Sequence, residues 1–392
     1  MSAVHNTEII SVGTELLLGH VTNTDARDVS EALARIGINV RYHTVVGDNP
    51  GRLKECVKIA RSRADIIITT GGLGPTCDDL TKQVLAESFG LELILNETEE
   101  QALYDYISPK KKFTQNNLQQ AMLPEGCTVF HNSCGTAPGC AFVKDGITVI
   151  MIPGPPKECR TMLEESVIPY LKSLSEETIV SHSVRVFGIG ESRVDDIFAR
   201  EMNAMTNPTM APYAKECDCL LQITAKAASE EEAEEMCRPV IERVCEKLGD
   251  VVYGIDVECV EEAALSCLRG KGLTFALAEG FTGGELAARA AAAAEEEGCF
   301  KGAFVMPQAQ FDAELAAQMA ENIRSSLGAD TAAAVSGEEK GSFFVALATP
   351  DETFVKLVET GAFRTMSYKR RMAGNHAFDM LRRYLSDLEV IA

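Results

Sequence analysis

The strongest constraint on this chain is the rhythm at its start. TEIISVG (7–13), NVRYHTVVG (39–47) and ADIIITTGG (64–72) are β-branched runs, each closed by glycine. Between them, DARDVSEALARIG and RLKECVKIARSR carry apolar residues at helical spacing. Such switching of period predicts a βαβαβ unit. Strands of near-continuous apolar character joined by helices belong in a parallel sheet covered on both faces, an α/β architecture. Ligands of such sheets sit beyond the carboxyl ends of the strands, where GTELLLG, GDN and GGLGPTCDD all fall.

Further along, CAFVKDGITVIMIPG (140–154) predicts two strands around a Lys-Asp-Gly turn. PGPPKECRTMLEESVIPYL opens with prolines suited to a helix start. HSVRVFG and IGESRVDDIFAREM supply another strand and helix, expected to complete a first domain at 1–205, the helix starting at the Gly-Glu-Ser turn. Residues 206–255 read as a smaller unit: the extended NPTMAPYAK, the strand DCLLQITAKA, an acid-rich helix and the short strand VVYG. Residues 256–392 read as a third, again alternating helices with strands such as GLTFALAEG and SFFVALATP. The 392-residue length fits two or three domains of roughly 100 to 200 residues each.

Charge narrows the partners. A net charge of -21 argues against wrapping nucleic acid or lying on an anionic membrane, both of which need clustered Lys and Arg. An anionic substrate then needs a cation or local donors. Neither a long apolar run nor a basic-then-hydrophobic leader occurs, so a cytoplasmic location is expected. The 13 cysteines are scattered without a CxxC pair, which indicates neither a disulfide framework nor a zinc ribbon. They read as small apolar fillers.

The most informative stretch is TTGGLGPTCDD (69–79). Gly71, Gly72 and Gly74 permit positive φ and remove side chains, so backbone N–H groups can approach a phosphate, and Pro75 fixes the next φ. Asp78 and Asp79 stand where a helix is expected to begin. One aspartate is explained as an N-cap, two less readily. At about 4 Å and an effective dielectric near 20, each pairing of like charges costs roughly 4 kcal/mol, whereas a helix N-terminus returns only about 0.3 to 1 kcal/mol. That deficit calls for a divalent metal, Mg²⁺ or Mn²⁺ by hardness, with the borderline Co²⁺ also admissible. Glu15, Asn23 and Asp48 follow their strands closely enough to converge on the same crevice, and Lys157 in PGPPKE is placed to contact phosphate.

GTELLLGHVTNTDA, VVGDN, TTGGLGPTCDDLT, NSCGTAPG, MIPGPPKE and FGIGES occur here in the order and spacing of the competence/damage-inducible protein A (CinA) family, which the chain resembles over essentially its whole length. The resemblance implies a MoaB/MogA-like, doubly wound and mostly parallel sheet in the first domain. It further implies a small α+β KH-like middle module at 206–255, an α/β C-terminal domain and a homodimer. It also implies metal-dependent cleavage of the pyrophosphate of ADP-ribose or a related dinucleotide. Asp78 and Asp79 match the acidic pair, expected to be catalytic and metal-binding together with a catalytic Glu15. Gly71, Gly72, Gly74, Asn23, Asp48 and Lys157 match substrate-binding positions. Which acid serves as base is not assigned by the resemblance.

The C-terminal domain resembles the family's nicotinamide mononucleotide deamidase, with departures. Where that pattern reads approximately AESCTGG, this chain has AEGFTGG, so Gly280 and Phe281 replace Ser and Cys. Glu296 and Glu297 stand at a Ser-Ser pair, while Pro307 and Asp312 replace a tyrosine and a lysine. Without hydroxyl, phenol and amine no activated nucleophile is left, and Thr282 and Ser336 read as turn or capping residues. A catalytically silent domain is expected, with residual amidohydrolase activity as the alternative. For the whole protein the alternatives are molybdopterin binding or adenylyl transfer, and a non-enzymatic nucleotide-binding assembly role.

Overall fold

The computed structural model describes residues 6–108, 113–174, 178–215, 217–294, 298–307 and 309–390. By the density of internal contacts the chain divides after Ser181, with Lys226–Ala233 grouping with the first unit.

The first unit contributes β1 (Asn6–Val12), β2 (Asn39–Val46), β3 (Ile66–Thr70), β4 (Leu93–Leu95), β5 (Met122–Pro124), β6 (Thr128–Phe130), β7 (Gly139–Lys144) and β8 (Ile147–Ile152). Six of these form one sheet in the order β2-β1-β3-β8-β7-β6, while β4 and β5 pair separately. The run from β2 to β8 is parallel, and β7 and β6 extend it antiparallel. The expected doubly wound sheet is therefore present, with an antiparallel flank. The turn joining β7 to β8 holds Asp145 and Gly146 at φ 53° and 76°, the left-handed pair that a tight hairpin requires.

Strand alternation explains why both faces are covered. Ile10, Ile67 and Val149 pack with Leu53, Val57, Val84 and Leu85 of the helices Pro50–Ala60 and Thr81–Phe89. Ile9, Ile66, Ile68 and Ile150 point the other way, onto Val29 and Leu33 of the helix Thr24–Arg35 and Met162 of the helix Pro156–Met162. Each such side chain stabilises the fold by about 1.5 to 3 kcal/mol, and a one-residue slip would send all of them to the wrong face. Strand order reverses at β1, whose neighbours are β2 and β3. That switch point opens a crevice at the carboxyl ends.

The next sheet is built from β9 (Thr178–Val186), β10 (Thr209–Ala214), β11 (Cys219–Ala227) and β12 (Val252–Ile255), in the order β10-β11-β9-β12. HSVRVFG thus pairs inside the middle module, antiparallel to β12. With the helix Glu191–Ala204 packed on β10, it joins this sheet rather than completing a first domain that ends at 205. The reason is backbone pairing: β9 supplies the centre of this small sheet, and the larger one ends at β2 and β6 without it.

The remainder holds β13 (Phe275–Glu279), β14 (Phe300–Val305), β15 (Thr331–Val335), β16 (Ser342–Ala348) and β17 (Thr353–Glu359), ordered β14-β13-β15-β16-β17. One face carries Ala276, Ala278, Ala332, Ala334 and Ala346 against the helix Ala313–Leu327. The other carries Phe275, Leu277 and Phe343 against Phe378 of the helix Met366–Leu385. Among the described residues, no helix is long and apolar enough to cross a membrane.

Candidate functional site

The loop after β3 is tight because its glycines leave room for the chain's own atoms. Gly71 and Gly72 lie at φ 91° and 68°. A Cβ on Gly71 would collide with the carbonyl oxygen of Val12, and one on Gly72 with the Thr81 hydroxyl. That hydroxyl donates to the Gly71 carbonyl at 2.9 Å, which stitches the loop to the helix Thr81–Phe89. A Cβ on Gly74 would sit 2.5 Å from the Asp79 carboxylate. The glycines are thus demanded by the loop's own packing, and their presence does not depend on a bound phosphate.

Neither aspartate caps the helix. Leu80 holds the N-cap position without a side-chain bond, and the helix starts only at Thr81. Instead the two carboxylates turn back onto Thr76. Asp79 accepts from the Thr76 amide at 2.8 Å and from its hydroxyl at 2.5 Å, and Asp78 accepts from the same hydroxyl. One hydroxyl has one hydrogen, so at any moment one of these two acids lacks that donor. The Thr76 hydroxyl holds the Asp78 carboxyl below the usual carboxylate range.

Beneath the loop, Gln119 donates to the Asp79 carbonyl at 2.8 Å. The buried Lys82 in turn donates to the carbonyls of Gln119 and Gln120 at 3.1 and 2.5 Å. Burial pulls the Lys82 ammonium down to about 8. Sequence reading missed this brace, because a lysine on a helix reads as solvent-facing until the fold covers it.

The switch-point crevice is a cavity of about 550 Å³ bounded by the ends of β1, β3 and β8. It gathers Glu15, Asn23, Asp48, Asp78, Asp79 and the glycine loop, as the strand-end argument expected. Asp48 accepts from the Thr14 amide at 2.8 Å while its own amide donates to the Thr14 hydroxyl at 3.1 Å, which ties the ends of β1 and β2 together. Asn23 caps the helix Thr24–Arg35 through the Ala26 amide at 3.1 Å and donates to Ser11 at 3.0 Å, so its amide is already engaged at both ends. Lys157 is exposed and does not line the cavity; its neighbour Glu158 does. Successive side chains on a helix diverge by about 100°, so in a helix that begins at Pro156 only one of the two faces inward.

Two further acids, Asp25 and Glu158, therefore join the cavity beyond those the sequence singled out. Among the described residues, its lining carries six carboxylates, Glu15, Asp25, Asp48, Asp78, Asp79 and Glu158, and no Lys, Arg or His. Among the described residues no three His, Cys, Asp or Glu side chains are gathered into a ready metal cage.

The loop after β13 is built on other terms. A Cβ on Gly280 would run into the carbonyl oxygen of Ser336, so the serine of the resembling pattern cannot be seated here without moving backbone. The Phe281 ring packs on Phe343 with centroids 5.0 Å apart. Thr282 donates to the buried Glu279 at 2.8 Å, and Ser336 donates to the Gly337 carbonyl and accepts from the Phe344 amide. Asp312 caps the helix Ala313–Leu327 through the Leu315 amide at 2.7 Å, and Pro307 is exposed. Glu296 and Glu297 lie outside the described residues.

Two family models match the chain. One, described as a probable molybdopterin binding domain, covers residues 8–173; the other, the damage-inducible protein CinA KH domain, covers 181–254. A CinA-like protein of Dictyoglomus turgidum is 39% identical over 416 residues, 97% of this chain and 99% of that protein. One of Dictyoglomus thermophilum matches at the same identity and coverage. The solved CinA of Thermoplasma acidophilum, described as of unknown function, is 32% identical, with a TM-score of 0.40, over 42% of this chain and 98% of its own.

Proposed function

Because the chain belongs to the CinA family, we propose that its first unit, a molybdopterin-binding-like domain, hydrolyses the pyrophosphate of ADP-ribose or a related dinucleotide in a metal-dependent reaction. One observation carries this reading: among the described residues, a cavity of about 550 Å³ is lined by six acids and no basic side chain. A pyrophosphate entering it meets like charge at roughly 4 kcal/mol per close pair, far beyond what backbone dipoles return. A divalent cation is the partner that reverses the sign.

Asp78 and Asp79 would hold that cation, because the exposed Asp78 and the half-buried Asp79 are hard-oxygen donors that crowd one hydroxyl at the cavity wall. Mg²⁺, Mn²⁺ or Co²⁺ suits them, with substrate oxygens and water completing the shell. When bound, the ion neutralises phosphate oxygens and makes a nearby water more acidic. The chain's own groups do the positioning. Thr76 fixes the two carboxylates, and the Asp48–Thr14 pair locks the ends of β1 and β2 on the far wall. Glu15 stands exposed at the mouth.

The test is a panel of ADP-ribose, FAD, NAD and nicotinamide mononucleotide with each metal, reading AMP release. Turnover lost in Asp78→Ala and Asp79→Ala is expected; turnover that survives chelation contradicts the proposal. A second reading, molybdopterin binding or adenylyl transfer, draws on the description of the family model over residues 8–173. Transfer of AMP to a phosphorylated pterin, with none to water, would favour it. For the C-terminal domain the collision at Gly280 supports a catalytically silent role. Ammonia released from nicotinamide mononucleotide would overturn that.

A further inference from the structure

We propose that Asp25, rather than the aspartate pair at 78 and 79, takes the proton from the attacking water in this hydrolysis; the inference rests on the hydrolase reading and names its base. Asp25 lies in the first turn of the helix Thr24–Arg35, whose start is fixed by Asn23, and it lines the cavity. Its Oδ1 is enclosed and has no hydrogen-bond partner. Four of the other acids are engaged: Asp48 by the Thr14 amide, Glu158 by Asn132, and Asp78 and Asp79 by Thr76. Glu15 is exposed to solvent. Among the six, Asp25 is the acid that holds a desolvated oxygen in reserve.

Its neighbours favour the same role. Asp28 faces it from its own helix, and Arg160 and Cys159 face it from the helix Pro156–Met162. Arg160 is bound to Asp28, so its charge is shared. Burial first, then the Asp28 charge, push the Asp25 carboxyl up to about 6 against the pull of Arg160. Asp78 moves the opposite way. When two carboxyls in one site are driven apart like this, the lower stays anionic and the higher can exchange protons near neutral pH.

One O–H bond of water breaks, and its proton passes to the Asp25 carboxylate while the water oxygen bonds to phosphorus. The bridging P–O bond breaks, its electron pair leaving with the departing phosphate. ADP-ribose and water become AMP and ribose 5-phosphate, and Asp25 returns its proton to solvent.

The experiment uses the full chain with Mn²⁺ and ADP-ribose, following kcat from about pH 5 to 8.5 for wild type, Asp25→Asn and Asp25→Glu. Carboxyl NMR on the metal-free protein, with Asp25→Asn as the assignment control, supplies a readout independent of turnover. Wild-type kcat is expected to rise with pH and level off near the Asp25 value of about 6. Asp25→Asn is expected to lose about 10²- to 10⁴-fold in kcat and to lose that limb, with ADP-ribose affinity held within about threefold. Asp25→Glu, a check should the amide variant fail to fold, is expected to keep a displaced limb. A limb and kcat unchanged in both variants, or an Asp25 resonance titrating at an ordinary value of about 4, would overturn the assignment. Wild type that releases no AMP with any metal would overturn the hydrolase reading beneath it.

Discussion

Two glycine loops follow parallel strands in this molecule, one after β3 and one after β13, and they have opposite fates. In both, a missing Cβ is occupied by the chain itself: Val12 and Thr81 crowd Gly71 and Gly72, and Ser336 crowds Gly280. The first loop nonetheless opens onto a cavity where Asp78 and Asp79 share too few donors. In the second, every hydroxyl has a partner and Phe281 is folded onto the core. A glycine-rich strand end is therefore no evidence of a site by itself. Unmet charge and unmet hydrogen bonds beside it are.

The largest effect that sharpens this contrast is expected at the open loop. Asp78→Ala or Asp79→Ala should lower AMP release by on the order of 10² to 10³-fold, the loss typical when one stabiliser of a developing charge is removed. Urea unfolding should be little changed in Asp78→Ala, whose side chain is exposed, and somewhat lowered in Asp79→Ala, whose half-buried carboxylate holds the Thr76 amide and hydroxyl. At the closed loop the balance is reversed. Gly280→Ser should cost about 2 to 4 kcal/mol in urea unfolding, since a backbone carbonyl must move. It should release no ammonia from nicotinamide mononucleotide. A stable Gly280→Ser protein with deamidase activity would break the comparison.

A smaller effect carries its own sign. The Asp25 carboxyl is raised to about 6 in the fold, so its ionised form opposes folding above that pH. Asp25→Asn is therefore expected to stabilise the protein at pH 7.5, by about 1 kcal/mol after the shift is discounted for partial exposure. The gain should fade as pH drops toward about 4, where the carboxyl is protonated whether folded or unfolded. Thermal unfolding across that range checks it, and a destabilised variant at neutral pH contradicts it. Smallest of all, Thr76→Val should weaken Mn²⁺ binding by about threefold to tenfold, below the roughly 10- to 100-fold usual for a side chain that orients a ligand, because the amide of residue 76 still holds Asp79. Titration calorimetry measures this, and unchanged affinity would show that Thr76 orients nothing.

The parallel sheet was legible because β-branched runs and helical periods alternate without ambiguity, and the crevice because Glu15, Asn23, Asp48 and the aspartate pair all follow strand ends. Pairing between distant segments was not legible. Nothing in HSVRVFG says that its partner is VVYG, so the expectation that it completes a first domain ending at 205 gives way to pairing within the middle sheet. Side-chain direction failed at short range as well: Lys157 and Glu158 are adjacent, and only the start of the helix decides which faces inward. The aspartate pair read as a helix start because Asp is a common cap, whereas the Thr76 hydroxyl captured both. Asp25 and Lys82 owe their chemistry to burial, a property of the assembled layers that no local pattern encodes.

A cavity whose charged lining, among the described residues, is acidic throughout is expected to admit a dinucleotide only in company with a divalent cation. Calorimetric titration of ADP-ribose into the full chain, once with EDTA and once with Mn²⁺, tests it most directly. No measurable binding is expected in chelator, binding at micromolar concentrations is expected with metal, and that binding should be lost in the Asp78→Asn/Asp79→Asn double variant. Equal affinity with and without metal would contradict it.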